Sequence, residues 1–237
     1  MKFGKSDKIE FISTVEGLET IEECLPRPAK HFIPKWFKDI PSNYPTTVKV
    51  CPSFPDFFSQ GYILPMWADT KLKFDSKFGE WNWESSNAMF KWEIHSNDQF
   101  LKHVDAKFNG VSSQFVFKAL SPWNIVTPPG WSVLQLPLFY HFNQEWSVLP
   151  GIIDTDIHST INQQVLYHGD GKEIKINCGD PFVLYIPFKR ENKLKHEVRY
   201  QTEKDEKKIK NEIFKINSRF FPNQYYRRLQ RERDKNE

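Results

Sequence analysis

Cysteine is scarce in this sequence, with three residues in 237, at Cys24, Cys51 and Cys178. Their odd number and wide spacing exclude a CxxC zinc knuckle or redox motif, and free thiols in a reducing compartment is the simple reading. Cys51, before Pro52, is a candidate nucleophile, but no histidine is marked as its partner, and it reads as a buried inert thiol. Glycine is also scarce, at 10 residues against 16 prolines, so turns here are set by the fixed φ of proline more than by glycine. No apolar run approaches the roughly 18 residues of a membrane-crossing helix. The polar start Met1–Asp7 has no apolar core for a secretory leader, so none is expected. G-x-S-x-G, Walker A, HExxH and G-x-G-x-x-G are all absent, which leaves the common hydrolase, nucleotide-loop, zinc-protease and dinucleotide signatures unrepresented.

What is abundant is aromatic: 21 Phe, 8 Trp and 8 Tyr, 16% of the chain. With 39% apolar and 27% charged residues, the composition is that of a globular protein with one sizeable core. The net charge of +3 is unevenly placed. Lys and Arg outnumber acids 11 to 7 over residues 203–237, leaving 22 against 23 in the rest.

From Ser121 to Arg190 the pattern is one of strands cut by turns. Trp131–Phe142, Ile152–His158, Ile161–Tyr167, Glu173–Ile176 and Phe182–Phe188 are rich in β-branched and aromatic residues. Between them fall Ser121-Pro122-Trp123, Thr127-Pro128-Pro129-Gly130, Leu149-Pro150-Gly151, His168-Gly169-Asp170-Gly171 and Cys178-Gly179-Asp180-Pro181. Earlier, residues 8–13 alternate as an opening strand. Pro34–Pro41 forms a short helical turn whose Trp36, Phe37 and Ile40 share a face, and Cys51–Phe58 turns into a second short helix. Tyr62–Asp69 reads as a buried strand, with Pro65 at an edge or bulge. Thr70–Phe74 and Glu80–Trp83 form a hairpin. Met89–His95 and Gln114–Ala119 are further strands, with a short helix over Ser96–His103. The expected fold is mainly β, a distorted β-clip or barrel-like sheet with short helices. One β-rich domain spans residues 1–200, and a basic helical C-terminal tail spans 201–237. In the tail, Ile209, Ile213, Phe214 and Ile216, then Tyr225, Tyr226 and Leu229, set two amphipathic helices packing back on the β domain. Arg227, Arg228, Arg231 and Arg233 cluster there, but acids interleave with them, so the tail reads as a solvated face and not as a nucleic-acid arm.

The densest chemistry lies in Asp154-Thr155-Asp156-Ile157-His158. On a strand, Asp154, Asp156 and His158 share one face, a reasonable ligand set for Mg²⁺, Mn²⁺ or Fe²⁺. His141 and His168 on neighbouring strands are candidates to complete it. The competing reading is that Asp154 caps a turn. His95 and His103, eight apart, do not share a helix face. Most of the tryptophans are expected in the core, leaving two or three for a concave site. The candidate site is therefore Asp154 and Asp156 as catalytic or metal-binding carboxylates, His158 as a further ligand, and Trp131, His141, Trp123 and Tyr167 around a bound small molecule.

Two resemblances attach to these motifs. Thr127-Pro128-Pro129-Gly130 through Leu134, Gly151-Ile152-Ile153-Asp154-Thr155-Asp156 and Gly179-Asp180-Pro181 through Ile186 resemble, in order and spacing, three motifs of the trimeric dUTPase and dCTP deaminase superfamily. The resemblance covers residues 125–188. It implies a β-clip, a homotrimer or dimer, and a water-orienting role for Asp154. Ile157 stands where that superfamily places an aromatic, Gln144–Pro150 stands where it places a phosphate-binding motif, and its glycine-rich C-terminal arm has no counterpart. Over nearly the whole chain, the segments Cys51–Ile63, Pro122–Gly130, Gly151–Asp156 and Gly179–Arg190 resemble an uncharacterised family of bacterial and marine tailed-phage proteins. That implies a phage-encoded protein in the cytoplasm of the infected host. The readings open at this point are a small-molecule-binding protein or auxiliary metabolic enzyme, a non-catalytic virion or assembly protein, and a degenerate dUTPase-like nucleotide binder. The partner expected is a small-molecule ligand, with no nucleic acid and no membrane, and a homo-oligomer is open.

Overall fold

The computed structural model describes residues 8–41, 48–75, 77, 79–95, 116–168, 171–191, 194–216 and 224–233. The helix expected over Ser96–His103, and His103 with it, lie outside these. The chain divides into two compact units, one of residues 1–32 and 60–192 and the other of 33–59 and 193–237.

The first unit is mainly β. Its strands are β1 (Glu10–Ser13), β2 (Arg27–Pro28), β3 (Tyr62–Pro65), β4 (Thr70–Asp75), β5 (Glu80–Ser85), β6 (Trp92–His95), β7 (Val116–Val126), β8 (Trp131–Leu136), β9 (Trp146–Val148), β10 (Gly151–Ile153), β11 (Thr160–Tyr167), β12 (Ile174–Ile176) and β13 (Pro181–Lys189). These described strands form three open antiparallel sheets. One runs β1-β7-β11-β9 with β6 also on β7, the second β10-β8-β13-β3-β2, and the third β12-β4-β5. The hairpin β4–β5 shows why: Thr70, Leu72 and Phe74 alternate inward while Lys71 and Lys73 face outward, the period-2 pattern of a half-buried strand. All three sheets contribute to one aromatic core, including Trp67, Phe74, Trp92, Phe117, Trp123, Trp146, Tyr167 and Phe182.

Two prolines mark irregular places. Pro65 pairs with Pro181 where the β13–β3 register shifts, so it sits at a bulge, on a strand that is second from the edge. Ser121-Pro122-Trp123, expected as a turn, is instead inside β7. There the β11 register jumps from Asn162↔Leu120 to Thr160↔Asn124. The proline therefore falls where the ladder is already interrupted and its missing N–H costs no pair. Its carbonyl still accepts from Thr14 N at 2.7 Å. Gly61, at φ +66°, lies so close to β13 that an added Cβ would stand 2.1 Å from the Tyr185 carbonyl oxygen.

A buried polar chain crosses the core between the two larger sheets. Gln163 Nε2 donates to the Tyr185 hydroxyl (2.7 Å), which donates to Gln135 Oε1 (3.0 Å), while Gln135 Nε2 donates to the Leu149 carbonyl (2.9 Å). Burial pushes the Tyr185 phenol well above its ordinary range, so it acts as a neutral donor.

Among its described residues the second unit holds four α-helices: α1 (Lys35–Asp39), α2 (Ser53–Phe58), α3 (Glu203–Ile216) and α4 (Gln224–Arg233). Phe37 stacks with Phe54 and packs edge-on against Phe58. Asp56 of α2 takes Arg227 and Gln230 of α4. Within the tail, Arg228 pairs with Glu232 one turn on, and Arg199 with Asp205. No described helix is long and apolar enough to cross a membrane.

Candidate functional site

The segment read as a single strand from Ile152 to His158 is strand only as far as Ile153; residues 155–157 are a turn. The Asp154 carbonyl accepts from both Ile157 N and His158 N at 2.9 Å, curling the chain back on itself. Asp154, Asp156 and His158 thus do not line up on a strand face. The turn is buttressed by two buried threonines, Thr127 and Thr155, whose hydroxyls meet at 2.7 Å.

The two aspartates end in different environments. β10 pairs with β8, placing Ile153 opposite Val133. Ser132 Oγ accordingly donates to Asp154 Oδ1 at 2.6 Å. The side chain of Asp154 is 50% exposed and that of Asp156 8%. Asp156 turns inward to Arg190, which follows β13. The guanidinium donates to both carboxylate oxygens, at 2.8 and 2.5 Å. Gly130 N adds a third donor to Asp156 at 2.8 Å, from a turn where Gly130 sits at φ +84°, a conformation that glycine adopts without strain. Arg190 and the Gly130 N–H together hold the Asp156 carboxyl at about 2, below its ordinary value. The same Arg190 nitrogen reaches Ser132 Oγ (2.9 Å), the Trp131 carbonyl (3.0 Å) and Asp154 Oδ1 (3.2 Å). One cation therefore ties the Gly130 turn, β8 and the 154–157 turn together. Among the described residues, Asp154 Oδ2 makes no hydrogen bond within the chain.

The remaining expected site residues are dispersed. Strand alternation puts Trp131 on the face of β8 opposite Ser132, with Lys189 Nζ 5.4 Å from its ring centre. Trp123 and Tyr167 are core rings, 2% and 0% exposed, and the Tyr167 hydroxyl donates to the Lys172 carbonyl. His141 ends the helical turn Phe139–His141. Burial lowers its pKa while a hydrogen bond to the Phe32 backbone opposes this. It lines an open cavity of about 490 Å³ with Phe142, Trp146, Lys175 and Asp180, and neither Asp154 nor Asp156 belongs to that lining. His168 pairs with Ser147 Oγ at 2.9 Å beside β9, on the other large sheet. Both Asp156 oxygens are taken by N–H donors. Among the described residues, no group of three His, Cys, Asp or Glu is placed to hold a metal ion. No local sequence pattern marks Arg190, Ser132 or Gly130 as partners of the two aspartates. Arg190 lies 34 residues from Asp156, and only the β8–β13 register brings it there.

No protein-family model matches this chain, and no curated protein matches it. Solved structures do. The dUTPase from phage phi11 of S. aureus matches over 83% of this chain and 99% of its own, at 10% identity and TM-score 0.38. A mutant of the Staphylococcus bacteriophage 80alpha dUTPase matches over 83% and 100%, again at 10% identity and TM-score 0.38. Likeness of that extent carries no activity to this chain.

Proposed function

We propose that the chain binds a small molecule at the rim of the 154–157 turn, with Asp154 as its polar anchor. The observation that supports this is the unequal use of the two carboxylates. Asp156 is consumed by Arg190 and Gly130, whereas Asp154 is held in place through one oxygen by Ser132 and offers the other to solvent. A fixed, half-open carboxylate is an acceptor for hydroxyl, amide or water donors whose ordering has already been met by the fold. Phage origin and action in the infected host's cytoplasm belong to the same proposal and rest on the whole-chain resemblance.

Among ligand classes, a nucleoside or nucleotide is favoured by the order of the Thr127–Leu134, Gly151–Asp156 and Gly179–Ile186 motifs. Arg190 is occupied by Asp156, so a phosphate would be met by other cations, and the sugar or base edge is the part matched to Asp154. A thermal-shift screen of the full chain tests this, using nucleosides, deoxynucleosides and their mono- and triphosphates, with and without Mg²⁺. A binder raises Tm in proportion to the logarithm of its concentration. A flat response across the panel would remove the nucleotide class.

A further inference from the structure

Cys24 and Cys178 are 154 residues apart in sequence, yet their sulfurs lie 3.0 Å apart, closer than two unbonded sulfurs ordinarily pack. Cys24 closes a short helical turn at Glu22–Cys24 and is 1% exposed. Cys178 lies in the turn between β12 and β13 and is only partly buried. Cys51, expected to be buried, is exposed instead and lies in the other unit. The backbone around Cys178 is held from several sides. Cys178 N donates to Asp69 Oδ1, Gly179 N to the Met66 carbonyl and Met66 N to the Asp180 carbonyl, each at 2.8 Å. A Cβ on Gly179 would touch Glu23 Cβ at 3.4 Å, so this turn packs directly on the segment carrying Cys24.

We propose that Cys24 and Cys178 are a redox-responsive dithiol that closes to an intramolecular disulfide when small-molecule disulfides accumulate. The sulfurs need to approach by only about 1 Å to reach covalent distance. Cys178, the accessible partner, attacks the small disulfide RSSR as a thiolate, forming a mixed disulfide and releasing RS⁻. Cys24 then loses its proton and attacks the Cys178 sulfur, expelling the second RS⁻. Two protein thiols are oxidised by two electrons, one RSSR is reduced to two RSH, and the two protons end on the released thiols. The second attack is the slower step, because burial and the charges of Glu23 and Asp69 hold the Cys24 thiol above its ordinary value. Closure would fasten the N-terminal segment to the β12–β13 turn.

The test uses full-length Cys51→Ser protein, in which only this pair remains, reduced, desalted and incubated folded with oxidised glutathione. Intact mass is expected to fall by two hydrogens, both thiols to disappear, and a non-reducing digest to yield a Cys24–Cys178 peptide. Dithiothreitol should reverse all three. The linked form should also melt higher than the reduced form, by roughly 5 °C or more, since the bridge restrains a long loop of the unfolded chain. A stable gain of one glutathione, or two thiols that persist until the protein is denatured, would overturn the proposal. The unmodified sequence, in which Cys51 should take up glutathione while the pair links, provides the same reading if the variant is unstable.

Discussion

Arg190 grips Asp156 through both terminal nitrogens, at 2.8 and 2.5 Å, while the same guanidinium lies 3.2 Å from Asp154. Two carboxylates two residues apart are thereby given different tasks. Asp156 closes a brace made of β8, the Gly130 turn and the end of β13, and Asp154 is left on the open side of that brace.

The brace is sensitive to acid. Asp156 has its carboxyl lowered to about 2, against about 3.9 for an unfolded aspartate. A depressed folded-state value contributes stability that is fully present above the unfolded value and lost as pH falls through the folded one. Asp156→Asn should lower Tm at pH 7 by roughly 3–8 °C. The gap from the natural sequence should narrow between about pH 4 and pH 2. Thermal denaturation across that window checks both; a gap independent of pH would contradict the assignment.

Tyr185→Phe removes the hydroxyl that accepts from Gln163 and donates to Gln135. Both amides then lose a partner inside the core. The expected cost is about 1–3 kcal/mol, with the ring packing unchanged. Urea unfolding measures it, and a cost near zero would mean that the amides find other partners.

Gly61→Ala should be worse than either. The new methyl collides with the Tyr185 carbonyl oxygen at 2.1 Å, and φ is +66°, so β3 and β13 have to separate. The expected loss is about 3 kcal/mol or more, read as a Tm fall of roughly 6 °C or more or as failure to accumulate folded protein. A variant as stable as the natural chain would show that the two strands yield more easily than this contact implies.

Much of the β architecture was legible from local pattern. The β4–β5 hairpin, β11, β12, β13 and both long C-terminal helices lie within a few residues of where alternation or helical spacing puts them. Misreadings fell where long-range pairing overrides local chemistry. Pro122 looked like a turn because proline lacks a donor, yet an interrupted ladder opposite Asn162 accommodates it. Ile152–His158 looked like one strand because its residues alternate, but the carbonyl of Asp154 recaptures two downstream N–H groups. Asp154 and Asp156 could be named from sequence as one cluster. Their division of labour could not, because it depends on Arg190, which arrives only through the pairing of Lys189 with Trp131. The Cys24–Cys178 contact was hidden for the same reason, its two residues being joined by tertiary packing alone.

Thermal denaturation of Asp154→Asn and Asp156→Asn, each with and without the panel nucleoside or nucleotide that most raises the melting temperature of the natural chain, tests the division of labour most directly. Asp154→Asn should melt within about 1 °C of the natural chain, since an exposed carboxamide still accepts from Ser132, but should lose the ligand-induced rise. Asp156→Asn should melt several degrees lower. An Asp154→Asn protein that is as destabilised as Asp156→Asn, or that keeps the full ligand-induced rise, would contradict the account.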